Sequence, residues 1–293
     1  MGHHHDHQAN KKALRISFLL ICVFMIVELI GGLITNSLAL LSDAGHMFSD
    51  AASLGLSFLA IHFGSKQPSP NKTFGYKRFE ILAAFINGIA LIVISFIIIY
   101  EAYHRFVNPP AVAGYGMLTI AIIGLLINLI VANILLKGDT SGNLNVKSAF
   151  LHVIGDLLGS VGAIIAAIFI ISLGWGYADP IASIVVAVLI LISGWRVTKE
   201  AIHVLMEGTP GHIDIGEIKS SLCTLPSIQN VHDLHVWSIT SGFTALSCHI
   251  TIDKETDHQE ILEKASDHLK DVFHINHTTV QIEYSDGECD SCN

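Results

Sequence analysis

Charge is scarce in this chain. Lys, Arg, Asp and Glu make up 14% of its 293 residues, against about 25% in ordinary soluble domains. The charge that exists is not basic: a net charge of −9 gives no support for nucleic-acid binding. Tryptophan is rare, with three residues, and no aromatic cluster accompanies the buried acids, so an organic-solute pocket is not expected. The five cysteines, Cys22, Cys223, Cys248, Cys289 and Cys292, do not form a secreted disulfide framework. There is no H-E-x-x-H, since His46 is followed by Met47, which removes the usual signature of a metalloprotease helix. No A-x-A-like cleavage site follows the first apolar stretch, so that stretch is expected to be retained as a span.

What is abundant is apolar sequence, 51% of the chain. A membrane span needs about 20 apolar residues. Six stretches qualify, at roughly 14–34, 37–63, 79–103, 114–136, 148–173 and 180–205. Polar segments separate them, including 64–78, Asn108-Pro109-Pro110 (two prolines that stop a helix) and 137–147. Six spans put both termini on one side. Lys11, Lys12, Arg15, Lys66, Lys72, Lys77, Arg78, Lys137, Lys147, Arg196 and Lys199 fall on that side, and Arg105 is alone in the opposite loops. The positive-inside rule therefore puts both termini in the cytoplasm.

Charge concentrates after about Gly208. There 213–222 reads as an amphipathic helix, 229–239 and 244–252 as strands, 256–272 as a helix and 278–284 as a last strand. The expected organisation is a tail at 1–13, a six-helix transmembrane bundle at 14–207, a small α+β domain at 208–286 and a C-terminal tail at 287–293.

Two matching segments carry the chemistry. His46 and Asp50 stand four residues apart in the second span, and His152 and Asp156 do so in the fifth. Positions i and i+4 share one helix face. Facing helices would offer two imidazole nitrogens and two carboxylate oxygens, a set suited to tetrahedral Zn²⁺. One such pair arises easily by chance and a lone buried histidine is usually structural. Two pairs inside apolar helices point to a functional site, because an ionisable group in hydrocarbon is costly, by about 2.5–3.5 kcal/mol for Asp.

Asp43, one turn before His46, is expected to serve this site as an entry group or as a support for its ligands. Glu28 either faces the bundle interior or hydrogen-bonds a neighbouring helix. Asn87, Asn128 and Asn133 are expected to bond between helices, and Gly159-Ser160-Val161-Gly162 to form a close-packing face. An unperturbed imidazole titrates near about 6.5, so protons compete with metal there near physiological pH.

Further candidates lie at the ends. His232, Leu234 and Val236 should share one strand face, with Asp233 and His235 on the other. His249 would sit across from His232 or His235, and Glu283 lies on the last strand. Cys289-x-x-Cys292 reads as zinc ligands, a redox pair or a solvated tail. His3, His4, His5 and His7 read as a metal-gathering tail. The alternative is a purification tag, although Asp6 interrupts the run.

The stretches Asn36-Ser37-Leu38-Ala39-Leu40-Leu41-Ser42-Asp43-Ala44-Gly45-His46, Phe74-Gly75-Tyr76-Lys77-Arg78-Phe79-Glu80, Ala178-Asp179-Pro180 and His232-Asp233-Leu234-His235-Val236-Trp237 resemble the cation diffusion facilitator family. The similarity is to its zinc-transporting branch, bacterial zinc/cadmium/cobalt exporters included. It implies a homodimer in the bacterial inner membrane that exports zinc in exchange for protons, with a ferredoxin-like cytoplasmic domain. His46, Asp50, His152 and Asp156 match the family's transport site, in what looks like the zinc-selective version. His232 and His249 match its cytoplasmic metal positions, while Glu283, Cys289 and Cys292 resemble the variant of animal zinc transporters. The loop 64–78 has no His, Asp or Cys, so no site is expected there.

Overall fold

A computed structural model describes the backbone of residues 3–64, 68–136, 144–240, 242–253 and 255–284; within these, the side chains at 3–15, 17, 50, 53–64, 135–136 and 144–155 are not described. Six long helices come first: α1 (His3–Thr35), α2 (Leu38–Gly64), α3 (Phe79–Val107), α4 (Gly114–Leu136), α5 (Leu144–Leu173) and α6 (Ala178–Leu205). Five of them, α1 and α3 to α6, contain a described stretch long and apolar enough to cross a membrane. The breaks are where backbone chemistry demands them. Asn36 takes the left-handed conformation (φ 56°) between α1 and α2, Pro109 and Pro110 follow α3, and Gly174 (φ 62°) follows α5.

The chain divides into two compact units, Met1–Leu56 with Ile86–Thr198, and Ser57–Phe85 with Lys199–Asn293. In the first, large apolar side chains such as Leu33, Ile34, Ile86, Phe96, Val185 and Ile192 point outward. Glu28, Asp43, Asn128, Asp156 and Ser160 are buried. A water-soluble fold distributes these groups the other way round. Lipid tails welcome the outer surface, and polar groups turn inward, away from them.

Close approach between these helices depends on small residues. Ala39, Leu40, Met117, Ala121, Ala163 and Ala167 form one core of α2, α4 and α5. Asn87 accepts from Ser49 Oγ at 2.9 Å between α3 and α2, and Asn128 donates to Ser160 Oγ at 3.4 Å between α4 and α5. Asn133 is exposed instead of bonding between helices as expected. Gly159 does serve close packing, whereas nothing described comes within 4 Å of a side chain placed at Gly162. At the α3–α6 crossing, a Cβ on Gly194 would lie 2.8 Å from Leu91 Cβ and 3.0 Å from the Gly88 carbonyl oxygen. Gly194→Val is therefore expected to cost about 1–3 kcal/mol through overpacking, read as a lower midpoint of thermal unfolding in detergent.

The second unit contains α7 (Ile215–Leu222), β1 (Ile228–Thr240), β2 (Phe243–Ile252), α8 (His258–Phe273) and β3 (His277–Tyr284). The sequence pattern places all five within three residues of these bounds. Asp214 caps α7, accepting from Gly216 and Glu217 N–H, and Asp257 caps α8. The sheet order is β1-β2-β3, with β1 and β2 antiparallel and β2 and β3 parallel, joined by α8. Ile218, Leu222, Val231, Leu246, Ile250 and Leu269 fill the space between helices and sheet.

Cys248 lies in this core, and burial pushes its thiol up to about 11. It stays protonated through neutral pH, so maleimide at pH 7.5 should modify exposed Cys223 before Cys248. The unfolded thiol ionises at lower pH than the folded one. This contribution to stability is thus intact below the ordinary thiol value and declines as pH rises from there toward about 11.

Candidate metal sites

The first candidate lies within the helical unit. The backbone of α2 carries His46 and, one turn on, Asp50; that of α5 carries His152 and, one turn on, Asp156. Asp156 is buried and His46 half-buried, while the side chains of Asp50 and His152 lie outside the described residues. Asp43 reaches across from α2 to α5: a Cβ on Gly159 would stand 3.0 Å from Asp43 Oδ1. Glycine at 159 is what lets this carboxylate lie against the α5 backbone, one turn beyond Asp156.

Glu28 of α1 is wholly buried and lies within electrostatic reach of both Asp43 and Asp156. Of the two roles open to Glu28, the interior one holds. Carboxylates from three helices therefore converge, which the two-pair pattern alone did not indicate. Like charges buried together repel strongly in a low dielectric. The arrangement favours a divalent cation or protons as compensation.

The second candidate lies on the sheet. His232 of β1 pairs directly with His249 of β2, their rings 5.3 Å apart and nearly perpendicular. Glu283 of β3 stands opposite Thr251, two residues along from His249 on the same face. Glu283 spans both rings: Oε2 lies 3.2 Å from His232 Nε2, and Oε1 lies 3.0 Å from His249 Nδ1. One ligand atom from each residue fits within 4.8 Å of the others. Around a tetrahedral zinc with bonds near 2.0–2.1 Å, ligand atoms sit about 3.3 Å apart. Two imidazoles and a carboxylate at this spacing suit Zn²⁺ after a small contraction.

One expectation is corrected here. Strict alternation would put Asp233 on the face opposite His232, together with His235. The β1–β2 register shifts between His232 and His235, and Asp233 has φ 47°. Such a bulge re-aims a side chain, and aspartate tolerates the left-handed conformation better than most residues. As a result Asp233 Oδ2 comes within 3.5 Å of His249 Nε2, while Oδ1 lies 2.8 Å from His235 Nε2. The signal available in sequence was an acidic residue between two histidines, but the bulge is a property of the pairing. Cys289, Cys292 and the side chains of His3, His4, His5 and His7 lie outside the described residues.

Comparison with known proteins places this geometry in context. A model of the cation efflux transmembrane domain matches residues 14–206, and one of the cation efflux protein cytoplasmic domain matches residues 210–285. A cadmium, cobalt and zinc/H(+)-K(+) antiporter of Bacillus subtilis is 58% identical, covering 97% of this chain and 92% of its own length. The zinc transporter ZitB of Yersinia pestis is 46% identical over 94% of this chain and 88% of its own. The metal cation efflux system protein CzcD of Cupriavidus metallidurans is 40% identical, with 96% and 90% covered.

Proposed function

Because the chain belongs to the cation efflux family, the cation diffusion facilitators, and is a transporter and not an enzyme, we propose that it moves Zn²⁺ out of the cytoplasm in exchange for protons. Cd²⁺ and Co²⁺, named for its relatives, are further substrates. The observation that carries this reading is the burial of Glu28, Asp43 and Asp156 together inside helices whose outer surface is apolar.

In this reading six helices span the bacterial inner membrane, α2 among them, with both termini cytoplasmic as the basic residues require. The boundaries are a tail at 1–13, the transmembrane domain at 14–207, a ferredoxin-like cytoplasmic domain at 208–286 and a tail at 287–293. Zn²⁺ sheds water for His46, Asp50, His152 and Asp156. Binding needs neutral imidazoles and ionised carboxylates, so each ion displaces protons. Facing outward, the site takes up protons and releases the ion; facing inward, it does the reverse. Alternating access then couples the two fluxes.

His232, His249 and Glu283 hold a second, resident zinc. The cytoplasmic domain, whose family is named for dimerisation, joins two copies into a homodimer. Metal there biases the conformational equilibrium of the transport domain. Cys289, Cys292 and the histidines at 3, 4, 5 and 7 supply further ligands from the two tails.

The test is zinc flux into proteoliposomes with an imposed pH gradient. Reversing the gradient should reverse net zinc movement. Flux indifferent to the gradient would reject exchange for protons, and absence of metal flux would reject the transport reading. Replacing potassium with sodium in the same assay resolves whether potassium, named for the Bacillus relative, moves as well.

A further inference from the structure

The turn joining α1 to α2 carries a buried network that the transport scheme does not use. A helix N-terminus leaves its first N–H groups without intrahelical acceptors, and in a membrane no water replaces them. In α2 every such donor is accounted for. Asp179, in the first turn of α6 and wholly buried, accepts from Leu38 N–H through Oδ2 at 2.8 Å. Its Oδ1 accepts from Ala39 N–H at 3.1 Å and from Ser37 Oγ at 2.6 Å. Ser37 Oγ accepts from Leu40 N–H at 3.3 Å, and Leu41 N–H closes on the Ser37 carbonyl at 3.3 Å. The cap of α2 is thus supplied by a residue 142 positions away.

Arg105, at the end of α3, holds this carboxylate in place. Its Nη1 lies 3.7 Å from Asp179 Oδ2 and donates to the Asn36 carbonyl at 2.7 Å. Nη2 donates to Asn36 Oδ1 at 3.2 Å, and Nε donates to Glu101 at 3.1 Å. The ends of α1, α2, α3 and α6 meet at one charge pair.

We propose that Asp179 is the positioning residue of the transport helix, fixing the height and rotation of α2 and hence where His46 and Asp50 stand relative to α5. Leu38 and Ala39 point their N–H groups about 100° apart around the helix axis, so one carboxylate that engages both sets rotation as well as rise. A slip of one residue would carry His46, about 12 Å along the helix from Leu38, by 1.5 Å and 100°. Metal ligands tolerate about 0.2 Å. This inference rests on the transport reading.

The experiment uses full-length protein in proteoliposomes, with Zn²⁺ as the probe. Asp179→Ala should raise the KM for zinc by about tenfold or more, as loss of a group that orients a metal ligand does. Asp179→Asn, which keeps one acceptor oxygen, should recover part of the loss. Arg105→Met should add little in the Asp179→Ala background, because the two groups act as one unit. A spin-label distance between α2 and α5, measured without zinc, should shift in Asp179→Ala. An unchanged KM and an unchanged distance in folded Asp179→Ala would overturn the inference. So would loss of monodisperse protein in all three variants, which would mark a folding role only. If the parent protein carries no zinc, the transport reading fails, and the spin-label distance still decides the role of Asp179 in placing α2.

Discussion

Asp156→Asn is expected to lower zinc flux by about 100-fold while leaving the unfolding midpoint unchanged or higher. The substitution keeps the shape of the side chain and removes its charge. Asp156 is 1% exposed and lies within reach of Glu28, which also faces Asp43. Removing one of several crowded carboxylates relieves repulsion in a low dielectric, and exchange of buried charge for a neutral group is often stabilising by roughly 1 kcal/mol or more. Transport suffers because a neutral amide neither balances a dication nor binds it as a carboxylate does. Flux and stability thus move in opposite directions, as expected when a functional site is held together at a cost to the fold. Proteoliposome flux and thermal unfolding on the same preparation check both. Flux within twofold of the parent would remove Asp156 from the transport site.

A second large effect is expected at Glu283, measured in the Asp156→Asn background so that membrane binding contributes little. At zinc 100-fold above the dissociation constant, a site present only in the folded protein stabilises it by about 2.7 kcal/mol. Glu283 is the residue that spans both imidazoles, so its loss leaves two ligands facing each other across the strands. If Glu283→Ala weakens binding about 100-fold, the same zinc concentration gives about 0.4 kcal/mol. The zinc-dependent rise in unfolding temperature should therefore nearly vanish. With Asp156 intact, Glu283→Ala should still transport at saturating zinc, because the cargo ligands proposed above are on α2 and α5, away from the sheet in sequence. A zinc-induced rise equal to that of the parent would show that His232, His249 and Glu283 hold no ion.

Residues of both candidate sites differ in how far a local pattern reaches. The histidines and carboxylates of α2 and α5 are visible as i, i+4 pairs because a helix repeats on a scale shorter than the pattern itself. His232, His249 and Glu283 were identifiable as candidates, since each lies on a strand of clear apolar alternation. Their meeting requires an antiparallel pairing of β1 with β2 and a parallel pairing of β2 with β3, and neither register follows from one strand alone. Asp233 illustrates the limit: a period of two assigns it to one face, and the bulge turns it toward His249 on the other.

Local pattern, then, was sufficient for the long helices, their stops, the α-β-β-α-β order and the i, i+4 spacing of the histidine–carboxylate pairs, because hydrophobic period, proline and cap residues act within a few positions. The convergence of Glu28 on Asp43 and Asp156, the borrowed cap from Asp179 to α2 and the turn of Asp233 were decided only when distant segments packed. Each depends on a polar group meeting another across helices or strands. That need is written in no single segment, since it arises only once water or lipid has been excluded from both sides of the contact.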